Sequence, residues 1–132
     1  MADRLQKEEI TILIVEDSPT QQKDLQNILE SHGYRTRTSM NGNKALDFLN
    51  NNRPDIIITD IIMPEMDGYE TTRQIRKLKG EKGHIRICAM TANVTKDEID
   101  ACLASGMNDY MMKPFTHEIL KEKILKNTFV HA

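Results

Sequence analysis

The sequence predicts an α/β fold in which a parallel sheet is doubly wound, with helices on both of its faces. Three observations support this prediction: short apolar runs recur along the 132 residues, amphipathic stretches of helical period separate them, and helix-capping residues mark the borders. Because strand and helix alternate five times, neighbouring strands are expected to be parallel, and each helix returns the chain to the same end of the sheet.

The first strand and helix are predicted from residue 10 onward. The run ITILIV is almost wholly apolar and too short for a helix, which is typical of a strand that is buried on both faces. Ser18 followed by Pro19 predicts the start of a helix, and Gly33 predicts its end. We expect the inner face of this helix to carry Leu25, Ile28 and Leu29.

The second strand is predicted in YRTRTS, which has no apolar face beyond Tyr34. A polar run of this kind is expected at the edge of the sheet, because a central strand of a parallel sheet needs apolar residues on both faces. Asn41 and Gly42 precede a second helix, whose predicted inner residues are Ala45, Phe48 and Leu49.

The third strand is predicted in DIIIT, which is again apolar. Asp67 and Glu70 resemble a capping box at the start of a third helix, which carries Ile75 and Leu78. Since the first and third strands are the most apolar, they should be the innermost strands. With the second strand at the edge, the expected strand order is 2-1-3-4-5.

The fourth strand is predicted in IRICAM and the fifth in DYMMK. Thr95 is expected to cap the fourth helix and Gly106 to end it, with inner residues Ile99, Cys102 and Leu103. Thr116 begins the fifth helix, whose apolar residues are Ile119, Leu120 and Ile124.

Composition and charge narrow the range of functions. One domain is expected over residues 1–132, with a core at about 10–128 and a charged extension at 1–9. The formal charge is 18 − 20 = −2, so we expect no direct contact with nucleic acid. No apolar run approaches the roughly 20 residues that a membrane-spanning helix needs, and no signal-peptide core is present. The sequence therefore predicts a cytoplasmic location without membrane contact.

A basic cluster follows the start of the predicted third helix. We interpret it as a solvated helix end, with contact to an acidic partner as the alternative. Its members are Arg73, Arg76, Lys77, Lys79 and Lys82.

Polar side chains are expected to converge at the carboxyl ends of the predicted strands, where doubly wound sheets bind their ligands. Glu16 and Asp17 follow the first strand, Asp60 ends the third, Thr91 ends the fourth, and Lys113 follows the fifth. Clustered carboxylates need a cation, and a few hard oxygen ligands suit Mg²⁺. Mg²⁺, a carboxylate, a hydroxyl and an ammonium group are together typical of sites that transfer phosphoryl groups. Asp60 is the expected nucleophile.

Four motifs resemble those of the receiver domain of two-component response regulators: ILIVEDSP, IIITDIIMPEMDG, AMTAN and YMMKPF. They occur in the expected order and on the expected elements, and the resemblance extends from Ile10 to about Thr128. The segment MTANVTKDEIDACLASGMNDYMMKPF is similar to receivers attached to hybrid histidine kinases. The resemblance implies a flavodoxin-like (βα)5 fold. It also implies a phosphorelay switch that assists its own phosphorylation and dephosphorylation, rather than an enzyme with a separate substrate.

The resemblance also implies a role for each of these residues. Asp60 would accept the phosphoryl group from a histidine kinase or a histidine phosphotransfer protein. Mg²⁺ would be bound by Glu16, Asp17, Asp60 and the backbone carbonyl of Ile62. Thr91 and Lys113 would contact the phosphoryl group, and Lys113 would pair with Asp60 before phosphorylation. Thr91 would act with Tyr110 as the switch. An output partner would bind the face formed by the fourth helix, fifth strand and fifth helix.

Two other functions are compatible with part of this pattern. A Mg²⁺-dependent phosphatase with an aspartyl nucleophile, resembling the haloacid dehalogenases, would need a second Asp two residues after Asp60, where the chain has Ile62. A flavin-binding module of the same fold would need a hydroxyl-rich or glycine-rich loop after the first strand. The acidic segment EDSPT occupies that position and would repel a phosphate.

Ile62 and Asn93 are expected to set the lifetime of the phosphorylated state. They stand two positions after Asp60 and Thr91, where the water that removes the phosphoryl group would approach. Asn93 could hold this water with its amide, whereas Ile62 offers no hydrogen bond and would partly cover the path. We expect occlusion by Ile62 to dominate, which predicts a long lifetime.

Overall fold

The computed structural model describes residues 9–92 and 94–128, which form a five-stranded parallel sheet flanked by helices. The strands are β1 (Thr11–Val15), β2 (Arg35–Ser39), β3 (Ile56–Asp60), β4 (Arg86–Thr91) and β5 (Asp109–Met112). The helices are α1 (Pro19–Ser31), α2 (Gly42–Leu49), α3 (Gly68–Arg76), α4 (Lys96–Ser105) and α5 (His117–Thr128), and a 3₁₀ helix spans Gly80–His84. The strand order β2-β1-β3-β4-β5 confirms the predicted doubly wound sheet.

Apolar side chains pack on both faces of the sheet. Successive side chains of a strand point to opposite faces. Ile12 and Ile14 therefore join the apolar cluster under α1 and α5, whereas Leu13 and Val15 join the cluster under α2, α3 and α4. All four side chains are fully buried. β2 pairs with β1 alone among the described strands, and its residues before Ser39 are exposed or half-buried, which confirms the predicted edge.

Side-chain caps mark the starts of the helices, and those of α1, α3 and α4 were predicted in detail. The Ser18 hydroxyl accepts a hydrogen bond from the Gln21 N–H at 3.3 Å, and the Asp67 carboxylate accepts one from the Glu70 N–H at 2.9 Å. Thr95 caps α4 in the same way. A cap of this kind satisfies one of the backbone N–H groups that have no partner within the helix. The predicted helix starts are confirmed at all three positions.

The inner face of α4 differs from the prediction at Leu103, which is 60% exposed. The buried residues of this helix are Cys102 and Ser105, and Ile99 is half-buried. Neighbouring residues of a helix are about 100° apart around its axis. Because the buried stripe is centred on Cys102 and Ser105, Leu103 faces solvent. Ile119 of α5 is likewise exposed.

Arg76 is not part of a solvated helix end, which corrects the interpretation of the basic cluster. Its guanidinium is half-buried and donates hydrogen bonds to the backbone carbonyls of Gly83, Ile85 and Gly106 and to the side chain of Asn108. Arg73, Lys77 and Lys79 are exposed, as predicted. The sequence shows the charge of Arg76, but the carbonyl groups that surround it come together only in the fold.

Within residues 9–92 and 94–128, no helix combines the length and apolar character that crossing a bilayer requires. Cys88 and Cys102 are buried free thiols. Burial raises the pKa of Cys88 to about 12, so this thiol stays protonated near neutral pH. Both cysteines serve as small core residues, in agreement with their apolar surroundings in the sequence.

Candidate functional site

Three carboxylates meet at the carboxyl ends of β1 and β3. Glu16 and Asp17 directly follow β1, and Asp60 is the last residue of β3. Because β1 and β3 are neighbouring parallel strands, their ends lie side by side. One oxygen from each of the three carboxylates lies within 4.8 Å of the other two. The structure therefore brings together the acidic residues that the strand ends predicted.

Lys113 carries its ammonium group into this cluster. The Lys113 Nζ lies 3.1 Å from Glu16 Oε1 and 3.4 Å from Asp60 Oδ2, and it donates a hydrogen bond of 2.8 Å to Gln21 Oε1. The Lys113–Pro114 peptide bond is cis. A contact between Lys113 and Asp60 was predicted, whereas the shorter contact with Glu16 was not. Gln21 is a further member of the site, and it was not among the predicted site residues.

Burial of Glu16 shapes the electrostatics of the site. Its side chain is nearly inaccessible, and this desolvation is the main reason why the pKa of Glu16 lies above its usual value. The backbone N–H of Ser18, which donates to Glu16 at 3.1 Å, lowers this pKa, and the negative charge of Asp60 raises it again. The hydrogen bond and charge of Lys113 also lower this pKa, but together with the Ser18 N–H they do not offset the cost of burying the Glu16 carboxylate.

The site fits one divalent metal ion of the hard type. Three carboxylates and one ammonium give a formal charge of −3 + 1 = −2, which equals the charge that a divalent cation would neutralise. The cluster offers only oxygen donors, and Mg²⁺ prefers a small number of carboxylates with water completing its octahedron. Glu16, Asp17 and Asp60 therefore provide a donor set that suits Mg²⁺.

Gly68 allows α3 to begin directly against the end of β3. A Cβ atom at this position would clash with the backbone carbonyl oxygen of Asp60 and would lie 2.9 Å from the Cα of Ile61. The Gly68 N–H donates a hydrogen bond of 2.8 Å to the Ile61 carbonyl. The loop that follows Asp60 is thus folded back on the strand, and the absence of a side chain at Gly68 makes this close approach possible.

Of the two residues predicted to set the lifetime of a phosphorylated state, Ile62 lies in the loop after β3. It stands two residues beyond Asp60 and is 79% exposed. Asn93 lies outside the described residues.

Thr91 ends β4 beside the carboxylate cluster, and its hydroxyl bonds to α4. Its oxygen lies 2.6 Å from Glu98 Oε1, to which it donates a hydrogen bond, and the residue is 5% exposed. The Thr91 carbonyl accepts a hydrogen bond of 2.7 Å from the Lys113 N–H. Thr91 is therefore where the sequence placed it, but its partner Glu98 was not predicted.

Tyr110 lies on β5, where its half-buried ring packs against the apolar cluster under α2, α3 and α4. The Lys123 Nζ is 5.3 Å from the centre of this ring and 2.8 Å from Asp109 Oδ1. Burial alone would raise the pKa of Asp109. The hydrogen bonds from Lys123 and the Tyr110 N–H outweigh this effect and leave the pKa below its usual value. A partly buried ion pair thus ties α5 to β5 beside the predicted switch residue.

A groove opens beside Lys113, between α1 and the segment that follows β5. Its volume is about 520 Å³, and its walls are mostly apolar. The residues that give it this character are Leu25, Ile28, Met90, Ala92, Pro114 and Phe115. The groove also reaches Glu16 and Lys113, so an occupant of the groove would lie next to the carboxylate cluster.

Comparison with known proteins identifies a matching family and similar structures. The sequence profile of the response regulator receiver domain matches residues 12–125. Sensor histidine kinase RcsC of Salmonella typhimurium is 37% identical over 117 residues, which cover 89% of this chain but 12% of that protein. The chain thus spans about an eighth of the length of this relative.

Two solved structures have the same fold and moderate sequence identity. The signal receiver domain of a signal transduction histidine kinase from Syntrophus aciditrophicus superposes with a TM-score of 0.81 at 37% identity and covers 89% of both chains. The receiver domain of a sensor histidine kinase from Pseudomonas aeruginosa has a TM-score of 0.82 at 37% identity and covers 90% of this chain and 97% of that one. The latter structure holds a magnesium ion coordinated in its active-site cleft.

Proposed function

Since the chain belongs to the response regulator receiver domain family of two-component signalling, we propose that it accepts a phosphoryl group on Asp60 in a Mg²⁺-dependent reaction. The phosphoryl donor is a phosphohistidine of a histidine kinase or a histidine phosphotransfer protein. The observation that carries this proposal is the meeting of Glu16, Asp17, Asp60 and Lys113 at one end of the sheet.

The chemistry follows from the positions of the side chains. A carboxylate oxygen of Asp60 attacks phosphorus, the N–P bond of the phosphohistidine breaks, and its electron pair returns to the imidazole nitrogen. The Lys113 ammonium group lies 3.4 Å from Asp60, so it can donate hydrogen bonds to the oxygens of a phosphoryl group that approaches Asp60. A metal ion would be held by Glu16, Asp17, Asp60 and the backbone carbonyl of Ile62. When bound, Mg²⁺ neutralises negative charge on the phosphoryl oxygens.

The residues of this site fit a phosphorylation-dependent switch better than a phosphatase that turns over a separate substrate. An aspartyl-nucleophile phosphatase of the type considered above needs an acid–base carboxyl two residues after the nucleophile. Ile62 occupies that position and has no titratable group. The protein therefore contributes to its own phosphorylation and dephosphorylation but has no separate substrate.

Two surfaces are suited to the partners of such a switch. The apolar groove beside Lys113 would receive the donor, because an occupant there lies next to Asp60. The output partner would bind the face of α4, β5 and α5, where three large apolar side chains are exposed. These side chains are Leu103 on α4, Met112 on β5 and Ile119 on α5. We place the protein in the cytoplasm, which agrees with two reduced, buried cysteines.

Incubation with a small-molecule phosphodonor and Mg²⁺ should add one phosphoryl group to the protein. An excess of chelator should abolish the addition, because the carboxylates then repel the incoming anion. Intact-protein mass spectrometry measures the addition, and alkaline hydroxylamine should remove it, since an acyl phosphate is labile to this nucleophile. Absence of labelling with Mg²⁺, or equal labelling in chelator, contradicts the proposed function.

Ile62→Asn should shorten the lifetime of the phosphorylated protein severalfold. The substitution replaces a bulky aliphatic group by an amide that can orient the attacking water. Leu103→Asn is the matched control, because it changes another exposed aliphatic residue to Asn away from the site. Release of phosphate from purified phosphoprotein gives the rates. If Ile62→Asn releases phosphate no faster than Leu103→Asn, occlusion by Ile62 does not set the lifetime.

A further inference from the structure

The hydroxyl of Thr91 has one proton, and in this structure that proton is directed to Glu98. The two oxygens are 2.6 Å apart, which is the separation expected for a hydroxyl that donates to a carboxylate. A threonine hydroxyl can donate only one hydrogen bond at a time. Donation to Glu98 and donation to a phosphoryl oxygen on Asp60 therefore exclude each other.

We propose that Glu98 is a positioning residue that holds Thr91 in the resting state and thereby opposes phosphorylation. This inference rests on the proposed function, since it concerns the hydroxyl that would contact the phosphoryl group. The carboxylate of Glu98 and the phosphoryl group compete for the same proton. When Thr91 exchanges Glu98 for a phosphoryl oxygen, the free energy of the Thr91–Glu98 hydrogen bond is lost. A stronger Thr91–Glu98 hydrogen bond therefore leaves a smaller net free energy to stabilise the phosphorylated conformation.

The movement that this competition requires is confined to one side chain. β4 lies between β3 and β5, and the backbone on both sides of Thr91 is held. The Ile61 N–H donates to the Met90 carbonyl at 3.3 Å, and the Lys113 N–H donates to the Thr91 carbonyl at 2.7 Å. Thr91 is branched at Cβ, so its side chain occupies discrete rotamers. A change of rotamer is therefore the simplest way to exchange Glu98 for a phosphoryl oxygen.

Loss of the Thr91–Glu98 hydrogen bond would affect the output face through α4. Glu98 belongs to the first turn of this helix, and Thr95 caps its N–H at 3.1 Å. The Thr91–Glu98 hydrogen bond thus connects the start of α4 to the end of β4. When Thr91 turns away, this connection is lost and the first turn of α4 can shift. The same helix presents the exposed side chain of Leu103.

The affinity for a phosphoryl analogue tests this competition. Beryllium trifluoride with Mg²⁺ is the probe, and isothermal titration gives its dissociation constant. Glu98→Ala should bind the probe about tenfold more tightly than the parent, since it removes a hydrogen bond to a charged group from the resting state. The affinity for Mg²⁺ alone should stay unchanged. Asp97→Ala is the matched control, because it removes an exposed charge from the same turn of α4.

A double-mutant cycle separates the hydrogen bond from the charge of Glu98. In a Thr91→Ala background, Glu98→Ala should no longer alter the affinity for beryllium trifluoride, although the change in charge is the same. Equal affinity of the Glu98→Ala and Asp97→Ala proteins overturns the inference and leaves the proposed function intact. An undiminished effect of Glu98→Ala in the Thr91→Ala background also overturns it. Failure of the parent protein to bind the probe with Mg²⁺ contradicts the proposed function itself.

Discussion

The Asp60→Asn protein should incorporate no phosphoryl group under conditions that label the parent protein completely. An asparagine amide lacks the anionic oxygen that attacks phosphorus, so the reaction loses its nucleophile. The substitution preserves the shape of the side chain at the end of β3. We therefore expect the variant to keep the fold while it loses labelling altogether.

The control for this prediction is Asp67→Asn. Asp67 is exposed and caps α3 through its side chain, and Asn is an equally good capping residue. This variant should be labelled as fully as the parent. Such a result would show that losing any aspartate near the site does not by itself prevent labelling. Mass spectrometry reports the labelling, and circular dichroism reports the fold. Labelling of a folded Asp60→Asn protein to the level of the parent would place the phosphoryl group elsewhere.

The expectation at Asp60 could be formed from the sequence because it depends on the ends of strands. An apolar run that stops at a charged residue defines both the strand and the position at which that residue emerges. The strand order then decides which ends are neighbours. Asp60, Thr91 and Lys113 were located in this way. The structure places Asp60 and Lys113 beside the carboxylates that follow β1, and Thr91 at the end of β4, next to β3.

The partners of these residues were less accessible to sequence reasoning. Glu98 is seven positions from Thr91, and its contact depends on how the first turn of α4 sits over β4. Leu103 has the same chemistry as core residues and was misassigned, because helical period alone does not fix the rotation of a helix to within one residue. Both details depend on tertiary packing rather than on local pattern.

The burial of Arg76 also depends on tertiary packing and could not be predicted from the local sequence. A basic residue near the end of a helix is usually solvated, and its four basic neighbours in sequence gave no reason to treat it differently. In the fold, burial lowers the pKa of Arg76. Among the described residues, no carboxylate pairs with it, and its partners are carbonyl oxygens. The dipoles of these carbonyls replace the water that the guanidinium has lost.

The contacts of Arg76 join segments that are distant in sequence. Its Nε donates to the Gly106 carbonyl at 2.9 Å, and its Nη1 donates to the Gly83 and Ile85 carbonyls at 3.1 and 2.7 Å. Its Nη2 donates to Asn108 Oδ1 at 2.9 Å. One side chain of α3 thus connects the 3₁₀ helix, the start of β4 and the loop between α4 and β5.

Arg76→Met should lower the free energy of unfolding by about 3 kcal/mol, because it leaves several partly buried carbonyl groups without a donor. Methionine retains an unbranched apolar chain, so the loss reports the hydrogen bonds more than the packing. Arg73→Met makes the same change one turn earlier on α3, where the side chain is half-exposed and its ion pair with Glu70 is solvated. This control should lose less than about 1 kcal/mol.

Urea unfolding measures both differences, with the slope of the transition showing whether the denatured state has changed. Arg76→Lys adds a second comparison. It keeps the positive charge, but a single ammonium group cannot reach acceptors that the planar guanidinium contacts with three separate nitrogens. We therefore expect it to recover less than half of the loss. If Arg76→Met destabilises the protein no more than Arg73→Met, the buried hydrogen bonds of Arg76 do not contribute the expected stability. If Arg76→Lys restores full stability, the charge of Arg76 matters and its fixed set of donors does not.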